Sequence, residues 1–317
     1  MKILLTGGAG FIGSAVGRTL LIRGDQIVIV DNFNNYYDPT LKEARVRHFL
    51  SEFKPVIVRA DIADRDVMGR IFSEYRFDRV CHLAAQAGVR YSLENPFVYA
   101  QSNVVGTLTL LELARLNGNV PFIYASSSSV YGANDKLPFS EDDRVDQPLS
   151  LYAATKRSTE LLAHAYHSIY GLPSTGLRFF TVYGPWGRPD MAMFIFIQKM
   201  LASRPLTLFN HGRMARDFTY IDDIVAGVVA AIDRPFPYEI INLGNNRPVA
   251  LTDLVAMLEH ALGIKAKIEL TGMQPGDVRL TFADIAKAQR LLDWQPRTDA
   301  RDGVLAFVSW YRKFYGV

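Results

Sequence analysis

Tyr152 and Lys156 stand four residues apart in Tyr152-Ala153-Ala154-Thr155-Lys156. That is one turn of a helix, so both side chains leave the same face. A phenol with a pKa near 10 is a poor base at neutral pH. A nearby ammonium favours the phenolate and predicts a lowered pKa. With 15 tyrosines in 317 residues such a spacing arises readily by chance, so its place in the chain matters more than its existence. Ser127 lies in Ser126-Ser127-Ser128-Ser129-Val130-Tyr131-Gly132, directly after an apolar strand pattern. A hydroxyl at such a strand end can relay a proton between a substrate oxygen and Tyr152, or can simply belong to a small-residue turn.

A second group of residues points to a dinucleotide. Thr6-Gly7-Gly8-Ala9-Gly10-Phe11-Ile12-Gly13 lies between a short apolar strand and a helical pattern. Glycine permits the tight turn there and lets backbone approach a pyrophosphate, which faces the free N–H groups opening the helix. The spacing is Gly7-x-x-Gly10-x-x-Gly13, looser than the usual Gly-x-Gly-x-x-Gly. Asp31, followed by Asn32, ends the second strand pattern, where a carboxylate accepts the adenosine ribose hydroxyls and repels a 2′-phosphate. NAD is therefore expected rather than NADP. Asp61 and Ile62, just past the third strand pattern, either flank the adenine or are an ordinary loop acid and its neighbour. Leu83, Ala84 and Ala85 end the fourth and complete the expected cofactor set.

The elements that must position these groups alternate. Strand patterns at 3–6, 26–30, 56–59, 79–83, 121–126 and 174–181 are separated by helical ones, notably 98–116 and 151–170. That rhythm predicts an α/β fold of the Rossmann type, a doubly wound parallel sheet with a smaller C-terminal α/β substrate lobe. Residues 1–183 form the expected NAD-binding domain. Residues 217–246 return to its main sheet through 217–231 and 238–243. Residues 184–216 and 247–317 form the expected smaller, substrate-binding lobe. Helices are expected at 191–201, 251–262 and 283–292.

Composition excludes other classes. The chain is 49% hydrophobic with net charge +3, and its 35 basic residues form no run, so a nucleic-acid partner is not expected. No apolar stretch reaches the ~20 residues that span a bilayer, and the start does not read as a secretory signal. A cytoplasmic location is expected. The single cysteine, Cys81, sits in a buried strand pattern and forms no internal disulfide. The six histidines show no metal-ligand spacing, so no metal is expected.

Taken together, Gly7/Gly10/Gly13, Asp31 and the Ser127–Tyr152–Lys156 group resemble the extended short-chain dehydrogenase/reductase family. Arg178-Phe179-Phe180-Thr181-Val182-Tyr183-Gly184-Pro185, Arg216-Asp217-Phe218-Thr219-Tyr220-Ile221-Asp222-Asp223 and Gln274-Pro275-Gly276-Asp277-Val278 resemble its nucleotide-sugar epimerases and dehydratases. More narrowly, Asp31-Asn32-Phe33-Asn34-Asn35-Tyr36-Tyr37-Asp38-Pro39 and Trp186-Gly187-Arg188-Pro189-Asp190-Met191-Ala192 are similar to UDP-glucuronate 4-epimerases. The resemblance implies an isomerase that oxidises the sugar at C4 with tightly held NAD, turns the 4-keto sugar over, and reduces it on the other face. It implies Ser127 as the catalytic hydroxyl, three residues before Val130-Tyr131-Gly132. It also implies a homodimer built on 98–116 and 151–170. Dehydratase relatives carry Asp-Glu after the catalytic Ser or Thr and decarboxylases keep a Glu, whereas Ser128 and Ser129 stand here. The substrate set expected from this likeness is Ser127, Ser128, Thr181 and Arg188 around a uronate carboxylate, Arg216 at the diphosphate, and Asp277 at ribose or phosphate. Arg90 either reaches the substrate or supports its loop. Rival readings are a 4-epimerase of UDP-glucose/UDP-galactose or of UDP-N-acetylhexosamines, and a non-catalytic NAD-binding scaffold.

Overall fold

The computed structural model describes residues 1–273 and 278–317. Seven strands form one wholly parallel sheet: β1 (Lys2–Thr6), β2 (Gln26–Asp31), β3 (Val56–Arg59), β4 (Arg79–His82), β5 (Phe122–Ser127), β6 (Ser174–Phe179) and an edge strand at Tyr238–Leu243. Their order is β3-β2-β1-β4-β5-β6 followed by the edge strand. The direction of winding reverses between β1 and β4, which opens a crevice above the strand C-termini.

Successive side chains leave opposite faces of a strand, and both faces here are covered. Leu5, Ile29, Ile123, Leu177 and Ile241 pack with Val16 and Leu20 of one helix and Ile224 and Val228 of another. Leu4, Val28, Val80 and Phe122 face the other way, onto Met68, Phe72, Leu110 and Leu111. A separate core of Phe194, Ile197, Leu254, Leu258, Phe307 and Tyr311 fills the smaller lobe. Its C-terminal helix, Ala300–Tyr315, has no counterpart among the expected elements.

The chain moves between the lobes earlier than expected. The predicted strand 174–181 is cut at Phe179, and Thr181–Tyr183 starts a separate strand, β7. After β8 (Leu206–Leu208), strand β9 (Ala215–Tyr220) pairs with β7 in a small sheet. The expected return of 217–231 to the main sheet is thus only partial. Its strand portion stays in the small sheet, while the helix Ile221–Asp233 packs on the large-sheet core. Numbering on, β10 (Tyr238–Leu243) is the large-sheet edge, and β11 (Pro248–Ala250) and β13 (Leu280–Thr281) flank β9, with β12 (Ile268–Leu270) beside β8.

The buried Asp217 carboxylate explains where β9 goes. It accepts the backbone N–H groups of Asn245 (2.5 Å), Asn246 (3.1 Å) and Ala283 (2.9 Å) and the Thr219 hydroxyl (3.2 Å). The three amide donors lie just past β10 and β13, so one side chain clamps β9 where the two lobes meet. Among the described residues no helix is long and apolar enough to cross a membrane. Asp217→Ala leaves the buried Ala283 amide and the part-buried Asn245 amide without their acceptor, at a cost of about 1 kcal/mol or more each. We expect unfolding free energy to drop by about 2 kcal/mol, read from urea melts followed by circular dichroism.

Candidate active site

The strand crests and the smaller lobe enclose one cavity of about 490 Å³. At its cofactor end the glycine turn is closed by backbone alone, Gly7 N–H donating to the Val30 carbonyl (2.8 Å) and Gly10 N–H to the Gly7 carbonyl (3.0 Å). Gly7 has φ +73°, and a Cβ at Gly13 would stand 2.1 Å from the Gly7 oxygen. Only glycine fits that close turn. No side chain caps the helix Phe11–Ile22 that follows, which leaves its first N–H groups for an anion. Asp31 accepts N–H bonds from Ala9 (3.0 Å) and Phe33 (2.9 Å), so its carboxylate is held facing the turn. Asn32 donates to Asp61 (3.0 Å), and Ile62, Leu83, Ala84 and Ala85 complete this wall.

The catalytic helix, Leu151–Tyr170, is capped by the Ser150 hydroxyl, which accepts the Ala153 N–H (3.1 Å). It brings Tyr152 and Lys156 to the cavity beside Ser127 at the end of β5. The fall in the Tyr152 pKa expected from a nearby ammonium is not found. Lys156 Nζ donates to the Ala125 carbonyl (2.8 Å), and burial pushes its pKa down to about 8 against the pull of Glu160. Burial raises the Tyr152 phenol, opposed by the Ser127 hydroxyl and by the Arg188 guanidinium. Arg188 is therefore a cation acting on Tyr152 in this structure.

Three further side chains hold this arrangement, and sequence reasoning missed them. Glu160, fully buried one turn beyond Lys156, accepts the Ser126 hydroxyl (2.6 Å), Arg178 Nε and Nη2 (2.8 and 3.0 Å) and Arg157 Nη1 (2.8 Å). Asn103, in a π-helical turn at Ala100–Val105, accepts the Gln86 N–H (2.8 Å) and donates to the Thr155 hydroxyl (3.0 Å). The helix predicted over 98–116 is interrupted by that turn before resuming at Gly106–Leu116. Arg178 was legible only as a motif member; nothing in its spacing says that it pairs with Glu160.

At the other end of the cavity stand Ser127, Ser128, Thr181 at the start of β7, and Arg188. Arg188 Nε and Nη2 both donate to Asp190, at 3.0 and 2.5 Å. Arg216, half-buried on β9, lines the cavity and donates through Nη1 to the Ala215 carbonyl (3.0 Å). Arg90 is exposed at the rim, its guanidinium 4.8 Å from the centre of the Phe209 ring in the smaller lobe. Asp277 lies outside the described residues. Every other expected site residue lines this one cavity. Among the described residues no cluster of His, Cys, Asp and Glu could hold a metal, and Cys81 is buried with its thiol pushed up to about 12.

Residues 3–244 match the model of the NAD dependent epimerase/dehydratase family. The chain belongs to that family. Among its curated relatives is UDP-glucuronate 4-epimerase 4 of Arabidopsis thaliana, 50% identical over 99% of this chain and 76% of that protein. The crystal structure of UDP-glucuronic acid 4-epimerase from Bacillus cereus, in complex with UDP-glucuronic acid and NAD, is 39% identical and superposes with a TM-score of 0.93, covering 99% of this chain and 100% of that one. A UDP-glucose 4-epimerase from Thermotoga maritima, solved with UDP-glucose, is 32% identical with a TM-score of 0.90, over 99% and 100% of the two chains. Family membership accounts for the parallel sheet, the glycine turn and the Tyr152–Lys156 helix together.

Within this family member the Glu160–Arg178 pair has a measurable weight. Arg178→Leu leaves a carboxylate buried with its two strongest bonds gone, which costs about 3–5 kcal/mol. Burial raises the Glu160 carboxyl, yet Arg178, Ser126 and Arg157 outweigh it and hold it below the usual range. That stability is present above the unfolded pKa and is lost as pH falls through the lower folded one. Arg178→Leu should therefore lower the urea midpoint at pH 7, and the deficit relative to the parent protein should shrink on acidification.

Proposed function

We propose that this protein is a UDP-glucuronate 4-epimerase, interconverting UDP-glucuronate and UDP-galacturonate with NAD held in the cavity. The larger lobe is read as the cofactor lobe and the smaller one as the nucleotide-sugar lobe. The glycine turn supports NAD: its backbone leaves room where a Cβ would collide, and the Asp31 carboxylate is held facing that turn. When bound, NAD accepts hydrogen from sugar C4 and returns it. The chain's own residues do the rest.

Tyr152 takes the O4 proton, directly or through Ser127. Lys156 fixes the catalytic helix to β5 and adds positive charge beside the forming ketone. Arg216 is assigned to the diphosphate, the pivot about which the 4-keto sugar turns over. Ser127, Ser128, Thr181 and Arg188 are assigned to the C6 carboxylate. The 4-keto sugar is a β-keto acid, which loses CO₂ when the C5–C6 bond lines up with the carbonyl π system. Hydroxyls and a bidentate donor hold that bond near the carbonyl plane.

The observation that carries this reading is the composition of the sugar end. The two carboxylates lining the cavity, among the described residues, are Asp31 and Asp61, both at the cofactor end. Three hydroxyls and a guanidinium face the sugar instead. A dehydration across C5–C6 has no carboxylate there to move its proton, while a uronate finds donors.

Incubation with UDP-glucuronate and no added reductant, followed by NMR, should yield UDP-galacturonate. UDP-glucose offered separately should turn over more slowly. Tyr152→Phe should lower kcat by about 10²-fold or more while retaining NAD. Turnover of UDP-glucose alone would reassign the protein to a neutral hexose, and no turnover of any UDP-sugar would support a scaffold. We also propose a homodimer. Exposed Val105, Leu108, Leu116 and Leu161 form apolar surface on Ala100–Val105, Gly106–Leu116 and the catalytic helix. Light scattering should give twice the chain mass; a monomer would overturn this.

A further inference from the structure

Arg188 does not face the cavity as a lone cation. Asp190 takes one edge of its guanidinium through Nε and Nη2. The Tyr36 hydroxyl donates to Asp190 Oδ2 at 3.0 Å. Tyr36 and Arg188 line the cavity, and the half-buried Asp190 carboxylate joins them. Tyr36 reaches this point across Gly88, where φ is +102° and a Cβ would lie 2.4 Å from its hydroxyl oxygen. Segments that follow β2 and β7 thus converge on one carboxylate, with the segment after β4 packed against Tyr36.

We propose that Asp190 and Tyr36 are positioning residues that set the orientation and effective charge of Arg188 at the sugar C6 group. In doing so they set both the preference for a uronate over a neutral hexose and the retention of its carboxylate. This rests on the epimerase reading of the same site.

A guanidinium has five N–H donors in a rigid plane. Two are taken by Asp190, so the Nη1 edge is the one left to meet a substrate carboxylate. The neighbouring negative charge offsets the positive one. Arg188 then acts as an oriented donor more than as a free cation. The opposite signs with which Arg188 and Asp190 bear on the Tyr152 phenol express the same offset.

That distinction matters at the 4-keto stage. Loss of CO₂ breaks C5–C6, moves the bonding pair into the C4 carbonyl as an enolate, and is completed when C5 takes a proton. Negative charge leaves the carboxylate and appears on O4. An unpaired cation free to swing towards O4 stabilises that charge and speeds the loss. A guanidinium pinned by Asp190 stays with the carboxylate.

The test uses full-length Asp190→Asn and Tyr36→Phe proteins, each checked for NAD content and melting temperature. NMR of UDP-glucuronate incubations gives the ratio of UDP-pentose to 4-epimer, and separate assays give kcat/KM for UDP-glucuronate and UDP-glucose. Loss of a charged hydrogen-bond partner is worth about a tenfold change. Asp190→Asn should raise the pentose-to-epimer ratio about tenfold and cut the uronate-over-hexose ratio by a similar factor. Tyr36→Phe should move both in the same direction by less. Should Asp190→Asn fail to fold, Tyr36→Phe alone must still shift both ratios. Variants that keep NAD and melting temperature with both ratios unchanged overturn the proposal. A parent protein that turns over no uronate overturns the epimerase reading itself, a result distinct from unchanged ratios in the variants.

Discussion

The Glu160 carboxylate, closed off from solvent, is the joint on which the site depends. It sits on the catalytic helix and binds Ser126 of β5 and Arg178 of β6 at once. Strand ends and helix are therefore one rigid body at the place where Ser127, Tyr152 and Lys156 must meet. The tie runs further: the Arg178 guanidinium lies 4.8 Å over the Tyr131 ring, and the Tyr131 hydroxyl donates to Asn242 on β10. A buried ion pair of this kind adds little net stability when intact and costs much when broken. Its value here is geometric, since a proton relay tolerates little misplacement.

Around that joint the chain divides its labour by distance from the sheet. Backbone does the work at the glycine turn, where side chains would be in the way. Side-chain carboxylates do it at Asp31, which holds the Ala9 and Phe33 N–H groups, and at Asp61, which accepts from the Asn32 amide. Strand β9 and the segment after β7 bring Arg216 and Arg188 from the smaller lobe. The Asp217 clamp makes this possible by fixing β9 where the lobes meet rather than within the large sheet.

The sugar end is defined as much by what does not face it. Eliminating water across C5–C6 calls for an acid and a base beside the ketone. Here hydroxyls occupy those positions, and the nearest carboxylate, Asp190, is engaged by Arg188 and Tyr36. A shared 4-keto intermediate is then steered by the groups that surround it, with the hydrogen transfer itself common to all.

Much of this was legible along the chain, for a physical reason. The strand and helix periods, the Gly7/Gly10/Gly13 turn, Asp31 at a strand end and the Tyr152–Lys156 turn are local features, written in residues a few positions apart. The position of β9 was not legible, because Asp217 finds its partners 28, 29 and 66 residues away. Nor was the state of Lys156, which reads as a partner of Tyr152 by spacing but spends a hydrogen bond on Ala125. Arg188 could be singled out as a cation for a carboxylate. That it arrives already paired, with Tyr36 joined from 154 residues away, was decided only when folding brought the loops together, because burial and charge pairing belong to neighbours in space rather than in sequence.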